Sequence, residues 1–207
     1  MPNTTAEKLF ELASPAAQRN IGAIANAVAD MVPDSGTVLE IAAGAGYHAA
    51  VLAAEHPHLT WQMSDPSPDA MARMTQMVAS AGLPNLSQPL ALDVTDQPWP
   101  VDGVTAVLCC NMIHIAPWAA AEGLFTGAAD RLPAGAPLIL YGPFAVDGEH
   151  TSESNASFDA GLRARDPDWG VREAWDVDAL AERTGYALER VIAMPANNMT
   201  RVYRRSG

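Results

Sequence analysis

At 207 residues, 49% of them hydrophobic and 17% charged, the chain is long enough to bury one core and has the composition of a globular domain. Its 24 acids against 12 Lys and Arg leave a formal net charge of −12, which repels phosphate backbones and anionic lipid and argues against nucleic acid or membrane as a partner. No run approaches about 20 uninterrupted apolar residues, and Met1 to Glu7 lack the basic-then-apolar pattern of a signal peptide, so a cytoplasmic location is expected.

Leu9, Phe10 and Leu12 anchor a short helix over residues 1–13, and Ser14-Pro15 opens a second, with serine as N-cap and proline at the first helical position. Ile21, Ile24, Val28 and Met31 recur at helical spacing before Pro33 to Gly36 stop it. Val38 to Ile41 form a buried strand that runs into the turn Ala42-Ala43-Gly44-Ala45-Gly46 and a helix from Ala49. Leu59 to Asp65 make a second strand ending in an acid, and Ser67-Pro68 start a helix that Gly82 stops. Leu86 to Leu92 predict a short third strand ending at Asp93, followed by a proline-rich loop with Trp99. Val104 to Cys110 are a fully apolar fourth strand, Pro117 to Arg131 a helix, and Pro137 to Tyr141 a fifth strand. Residues 145–153 are polar and contain glycine, as a mobile lid would, and helices follow at about 154–165 and 177–184, the second capped by Asp176. Ala187 to Met194 and Met199 to Arg205 are strands whose four-residue connection forces them antiparallel.

This alternation calls for a single α/β domain, a three-layer sandwich around a mainly parallel sheet. Cys109 and Cys110 are neighbours on a strand and face opposite sides, so a disulfide between them is not expected, and no metal-ligand spacing is present. Arg201, Arg204 and Arg205, the one dense basic cluster, are expected to be a solvated strand end.

In such sheets ligands sit at the C-terminal ends of the strands, at the topological switch point. Four strand ends carry polar groups there: Glu40 with the glycine turn, Asp65, Asp93, and Asn111 with His114. Gly44-Ala45-Gly46-Tyr47-His48-Ala49 satisfies G-x-G-x-x-G/A with Asp65 about 20 residues on, so an NAD(P)-dependent oxidoreductase stands as one alternative. Glu40 at the strand end, two helices before the first strand and the terminal hairpin point elsewhere.

The stretch Glu40-Ile41-Ala42-Ala43-Gly44-Ala45-Gly46 resembles motif I of the class I methyltransferases that use S-adenosylmethionine (SAM). The resemblance covers the whole chain and implies a Rossmann-like sheet of seven strands, the last antiparallel. It further implies SAM as methyl donor, S-adenosylhomocysteine (SAH) as product and no required metal. Ala42 stands where the pattern has its first glycine, and its methyl is expected to fit if the residue keeps negative φ. By the same pattern Asp65 matches the acid on the ribose, Asp93 with Val94 the pair beside adenine, and Asn111 the residue beside the methyl group. Ser14 to Asn20, Cys110 to Ile115, Tyr141 to Phe144, Arg163 to Pro167 and Met194 to Asn198 resemble, more narrowly, the methyltransferase-like 26 type, domain of unknown function 938. That family is largely unassigned in function.

The resemblance implies methyl transfer to an O, N or S atom of a small molecule, by a monomer or homodimer; a non-catalytic SAM-binding protein is the other alternative. Residues 1–35 would cover the cofactor, with Arg19 or Asn20 at its carboxylate, and residues 142–175 would form the lid and substrate side. His114, three residues beyond Asn111, is the candidate base, against a histidine that only packs at the strand–helix junction. His150 in the lid is a second candidate base. Trp118, Tyr141, Phe144 and Trp169 are candidate walls for an acceptor or plain core. Asn155, Arg163, Arg165 and Asp166 are either substrate-facing or a network that anchors the lid.

Overall fold

The computed structural model describes residues 5–207. Helices α1 (Thr5–Leu12) and α2 (Pro15–Val28) precede strand β1 (Gly36–Ile41). There follow α3 (Tyr47–Glu55), β2 (Leu59–Asp65), α4 (Pro68–Ala81), β3 (Leu90–Ala91), β4 (Val104–Cys110), α5 (Trp118–Arg131) and β5 (Pro137–Gly142). The remainder is β6 (Phe144–Val146), β7 (Glu149–His150), α6 (Glu153–Arg165), β8 (Arg172–Glu173), α7 (Ala174–Arg183), β9 (Tyr186–Met194) and β10 (Asn198–Arg205). The start of the expected first helix, residues 1–4, lies outside the described residues.

Seven strands form one sheet in the order β3-β2-β1-β4-β5-β10-β9. β1 pairs in parallel with both β2 and β4, while β10 runs antiparallel to β5 and β9. The order reverses between β1 and β4, which places the switch point at Ile41 and Cys110. This is the sheet expected, with one strand reversed because Pro195 to Asn197 are too short to cross over. No described helix is long and apolar enough to cross a membrane.

Strand alternation sorts the core into two layers. Val38, Trp61, Met63, Ala106, Leu108 and Ile139 face α1 to α4, whereas Leu39, Ile41, Val107, Cys109 and Leu140 face α5 and α7. Cys109 and Cys110 accordingly belong to opposite layers, and both are free. Trp61 is wholly buried on one side, and Phe125 packs edge-on between Tyr186 and Tyr203 on the other; burial of one such ring stabilises by roughly 3 kcal/mol. Ser14 and Ser67 cap α2 and α4 through the amides of Ala17 and Ala70, each with proline next in the chain, as the residue types require.

Four departures from the sequence reading have local causes. β3 shrinks to two residues because Pro89 has no N–H for the ladder, leaving Leu86 as an isolated bridge to Trp61. Residues 144–150 form a hairpin rather than an irregular lid: Asp147 (φ 56°) and Gly148 (φ 80°) supply the left-handed pair that a tight hairpin turn needs. β6 also pairs with β8, so the segment is tied on both sides. α7 begins at Ala174, and Asp176 lies in its first turn instead of capping it. Finally, Arg201 is not a solvated strand end. It is 4% exposed, donates to Asp178 Oδ1 (2.6 Å) and the Tyr203 hydroxyl (3.0 Å), and lies over the Phe144 ring.

Candidate active site

The turn after β1 is a left-handed backbone segment: Ala42 has φ 53°, Gly44 φ 62° and Gly46 φ 76°. Ala42 therefore does not keep the negative φ expected of it; an L-residue in this region is strained by about 1–2 kcal/mol. A Cβ on Gly46 would run into Met63 Sδ beneath the turn, whereas a Cβ on Gly44 would meet nothing within 4 Å. The Gly44 amide donates to Asp65 Oδ2 (3.1 Å) and the Ser67 amide to Asp65 Oδ1 (3.0 Å), so the β2 acid fastens the turn.

Glu40, 1% exposed, reaches the start of α3, where its Oε2 accepts the Ala49 amide (3.0 Å) at the positive end of the helix. Its Oε1 lies 3.3 Å from His48 Nδ1, and His48 Nε2 lies 2.9 Å from Asn20 Oδ1 on α2. A hydrogen-bonded chain thus runs from Glu40 through His48 to Asn20. Tyr141, whose pKa burial raises, lines a cavity with Asn20 and Asn198. His48 was not singled out from the sequence: it lies inside the glycine pattern, and its partners are 8 and 28 residues away. Glu40, His48 and Cys110 present potential ligand atoms within 4.8 Å of one another. Burial holds the Cys110 thiol well above its ordinary pKa, and Glu40 and His48 bind each other, so metal binding there requires the loss of both the proton and that bond.

Three cavities meet at this edge. The first, about 480 Å³, is lined by Asn20, Glu40, Gly44, His48, Arg73 and Asn111, with α1 and α2 as its roof. The second, about 410 Å³, has Asp65, Asp93 and Val94 on one wall and Met112 and Ala120 on the other. The third, about 740 Å³, is lined by Arg19, Asn20, Asn111, Tyr141, Asn155 and Phe158 among others. Ala42 lies on the walls of the first two, Asn20 and Asn111 on those of the first and third, and Ile115 on all three. Asn111 has φ 63°, a left-handed conformation that asparagine tolerates better than most residues.

The structure therefore gathers Asn20, Glu40, Ala42, Gly44, Asp65, Asp93, Val94 and Asn111 around the first two cavities, with Gly46 packed beneath. Arg19 lines the third cavity rather than the first; Arg73, not anticipated, is the arginine on the first. Tyr141 and Asn155 also face the third cavity, but the Asn155 amide is already donated to Thr151 Oγ1 and the Asn197 carbonyl.

Other candidates lie apart. His114 is fully buried and lines none of the three cavities. Its Nδ1 accepts the Arg172 amide (3.3 Å), and its ring meets Phe144 edge-on at 5.1 Å. Burial, and next the Arg172 charge, push its pKa down to about 3. In this structure the His114 ring packs at the strand–helix junction and reaches none of the cavities in which an acceptor could meet it. Phe144 is itself fully buried, and Trp118 lies under the Arg172 guanidinium. His150 and Arg163 both pair with Asp159, at 3.7 and 2.8 Å, and Asp159 also accepts the Val171 amide. Burial alone would raise the Asp159 pKa; the Arg163 and Val171 hydrogen bonds outweigh it and hold it low. These contacts tie α6 to β7 and to the strand-β8 segment, and Arg163 is the member of the predicted polar group that takes part in them.

A family model described as a protein of unknown function, DUF938, matches residues 11–205. The chain belongs to the DUF938 family. The fold of this DUF938 protein is the Rossmann-like fold of SAM-dependent methyltransferases, as solved structures show at low identity. An O-methyltransferase family 2 protein from Planctomyces limnophilus, in complex with apigenin, superposes with a TM-score of 0.79 at 15% identity, covering 97% of this chain and 60% of that one. The methyltransferase SibL in its apo form gives 0.77 at 21%, covering 92% and 56%. The O-methyltransferase NcsB1 from neocarzinostatin biosynthesis, bound to SAM and 2-hydroxy-5-methyl naphthoic acid, gives 0.75 at 14%, covering 97% and 57%. The DUF938 chain thus spans rather more than half the length of these proteins.

Proposed function

We propose that this protein is a SAM-dependent methyltransferase acting on a small molecule at an O, N or S atom. The observation that carries the reading is the meeting of two donor-sized cavities with a third at Asn111 and Ile115, on the switch-point edge of the sheet. The residues present fit the cofactor. Asp65 places a carboxylate on a cavity wall, as a ribose diol needs, and Val94, Met112 and Ala120 offer apolar surface for a purine beside Asp93. The buried Glu40 suits an ammonium group in the first cavity, and Arg73 with Ser14 suits a carboxylate.

SAM, when bound, supplies an electrophilic methyl on a positively charged sulfur. What the chain contributes is position: the turn and Asp65 fix one partner, Asn111 and Ile115 stand between the cavities, and Tyr141 stands with Asn20 and Asn198 on the acceptor side. Among the described residues no buried acid–base pair faces the third cavity. Alignment is therefore what these residues can contribute, and an acceptor proton leaves to solvent at the open side of the cavity. The complexes of the similar proteins with apigenin and a hydroxynaphthoic acid support a hydroxylated aromatic as the first acceptor class to try.

Calorimetry with SAM, SAH and NADH tests the reading. SAM and SAH should bind and NADH should not; tight NADH binding without SAM would establish the oxidoreductase alternative. SAM binding with no methylated product from a mass-spectrometric screen of hydroxylated aromatics would favour the non-catalytic one.

A further inference from the structure

The acceptor-side cavity differs from its neighbours in charge. Glu40 lines the first cavity, Asp65 and Asp93 the second, and Asp30 a groove between α2 and β9. Among the described residues the 740 Å³ cavity has no Asp or Glu on its walls, although acids outnumber Lys and Arg 24 to 12 in the chain. Its one charged lining residue among the described residues is Arg19, on α2. Among the described residues the arginines in ion pairs are Arg131, Arg163, Arg201 and Arg204, so the Arg19 guanidinium remains uncommitted.

The same walls leave apolar surface in water. Phe158 is 38% and Ile115 37% exposed, and both face this cavity beside Tyr141 and Pro143. Exposed large side chains grouped on a concave wall are what an apolar ligand covers. An ammonium-bearing acceptor would sit between Arg19 and the cationic donor, two like charges, with no carboxylate on the wall to offset them. A carboxylate meets the opposite balance.

From this we infer that the acceptor is a flat aromatic acid, its ring against Ile115, Phe158 and Tyr141 and its carboxylate toward Arg19. The inference rests on the methyltransferase reading and specifies its substrate class.

Calorimetry at saturating SAH with three molecules of nearly one shape tests it: salicylate, salicylamide and ortho-hydroxybenzylamine, with hydroxynaphthoate as a larger acid. The acids should bind about threefold more tightly than the amide, and the amine least. Arg19→Gln should lower salicylate affinity about threefold, because the guanidinium is exposed and screened, and the loss should shrink as salt is raised. Arg19→Lys should keep the order of the three ligands. SAH affinity should stay within about twofold in both variants, since Arg19 does not line the donor cavities. Equal binding of acid and amide, a preference for the amine, no binding of either acid, or an Arg19→Gln protein that binds salicylate as before would each overturn the inference while SAH still binds. Failure of SAH itself to bind overturns the methyltransferase reading and this inference with it.

Discussion

Gly44 and Gly46 lie two residues apart in one turn, yet alanine should act on them through different physics. Both have positive φ, 62° and 76°, so each substitution incurs about 1–2 kcal/mol of backbone strain, less about 0.4–1 kcal/mol recovered from a stiffer unfolded chain. For Gly44 that leaves roughly 0.5–1 kcal/mol, because its new Cβ meets nothing. The Gly46 Cβ is aimed at Met63 Sδ and at Met74, both wholly buried, and overpacking adds about 1–3 kcal/mol, for a total near 2–4 kcal/mol. At roughly 2–4 °C per kcal/mol for a chain of this length, Gly46→Ala should lower Tm by about 10 °C and Gly44→Ala by only a few. Ligand affinity should tell a second story. The Gly44 methyl projects toward the first cavity, so Gly44→Ala should weaken SAH binding about tenfold in a protein that is almost fully stable. Urea unfolding followed by the fluorescence of the buried Trp61 and Trp99, together with calorimetry for SAH, measures both. Equal stability losses, or a Gly44→Ala protein with unchanged SAH affinity, would refute the reasoning.

Asp65→Ala should reduce SAH affinity about tenfold to a hundredfold, since it removes a cavity carboxylate and frees the Gly44 amide; an unchanged dissociation constant would remove Asp65 from the site. Asp178→Asn should destabilise by about 2 kcal/mol in chemical denaturation, because it strands the buried Arg201 guanidinium. Arg201→Met, which leaves no charge behind, should cost less, and equal losses would count against that account. His114 carries a pH prediction. Folding holds its pKa at about 3 against an ordinary 6.5, so between those values the unfolded chain takes up a proton that the folded one refuses. Its contribution to stability is therefore full above about pH 6.5 and is lost as pH falls toward 3. His114→Gln should flatten the stability curve in that window, and a curve of unchanged slope would show that the ring is not held neutral.

The layout of the sheet was legible because its signals are local. Ser14-Pro15 and Ser67-Pro68 carry their caps within three residues, and the short connection after Met194 can only reverse the chain. Glu40, Asp65, Asp93 and Asn111 were legible for a related reason: strand ends at a switch point converge whatever the side chains do elsewhere. What escaped depends on distant partners. Arg201 looks like a solvated charge until α7 brings Asp178 beside it, 23 residues away in sequence. His48 finds Asn20 only once α2 has folded over α3. His114 stands three residues from Asn111, but Arg172 and Phe144 enclose it from a segment that no spacing rule links to β4. The hairpin at Asp147-Gly148 is a different case, since the Asp-Gly pair is itself a local turn signal within a polar stretch.

Ala42 and Asn111 close β1 and β4, neighbouring strands that part at the switch point, and both do so with a non-glycine residue at φ 53° and 63°. The sheet holds its two central strand ends in a conformation that neither residue would choose alone, on walls shared by the first cavity with the other two. Tolerance to substitution is therefore unevenly distributed in this molecule. Glycine at either position would relax the backbone and take a side chain off a cavity wall, so stability and the shape of the cavity edge are coupled at these two residues.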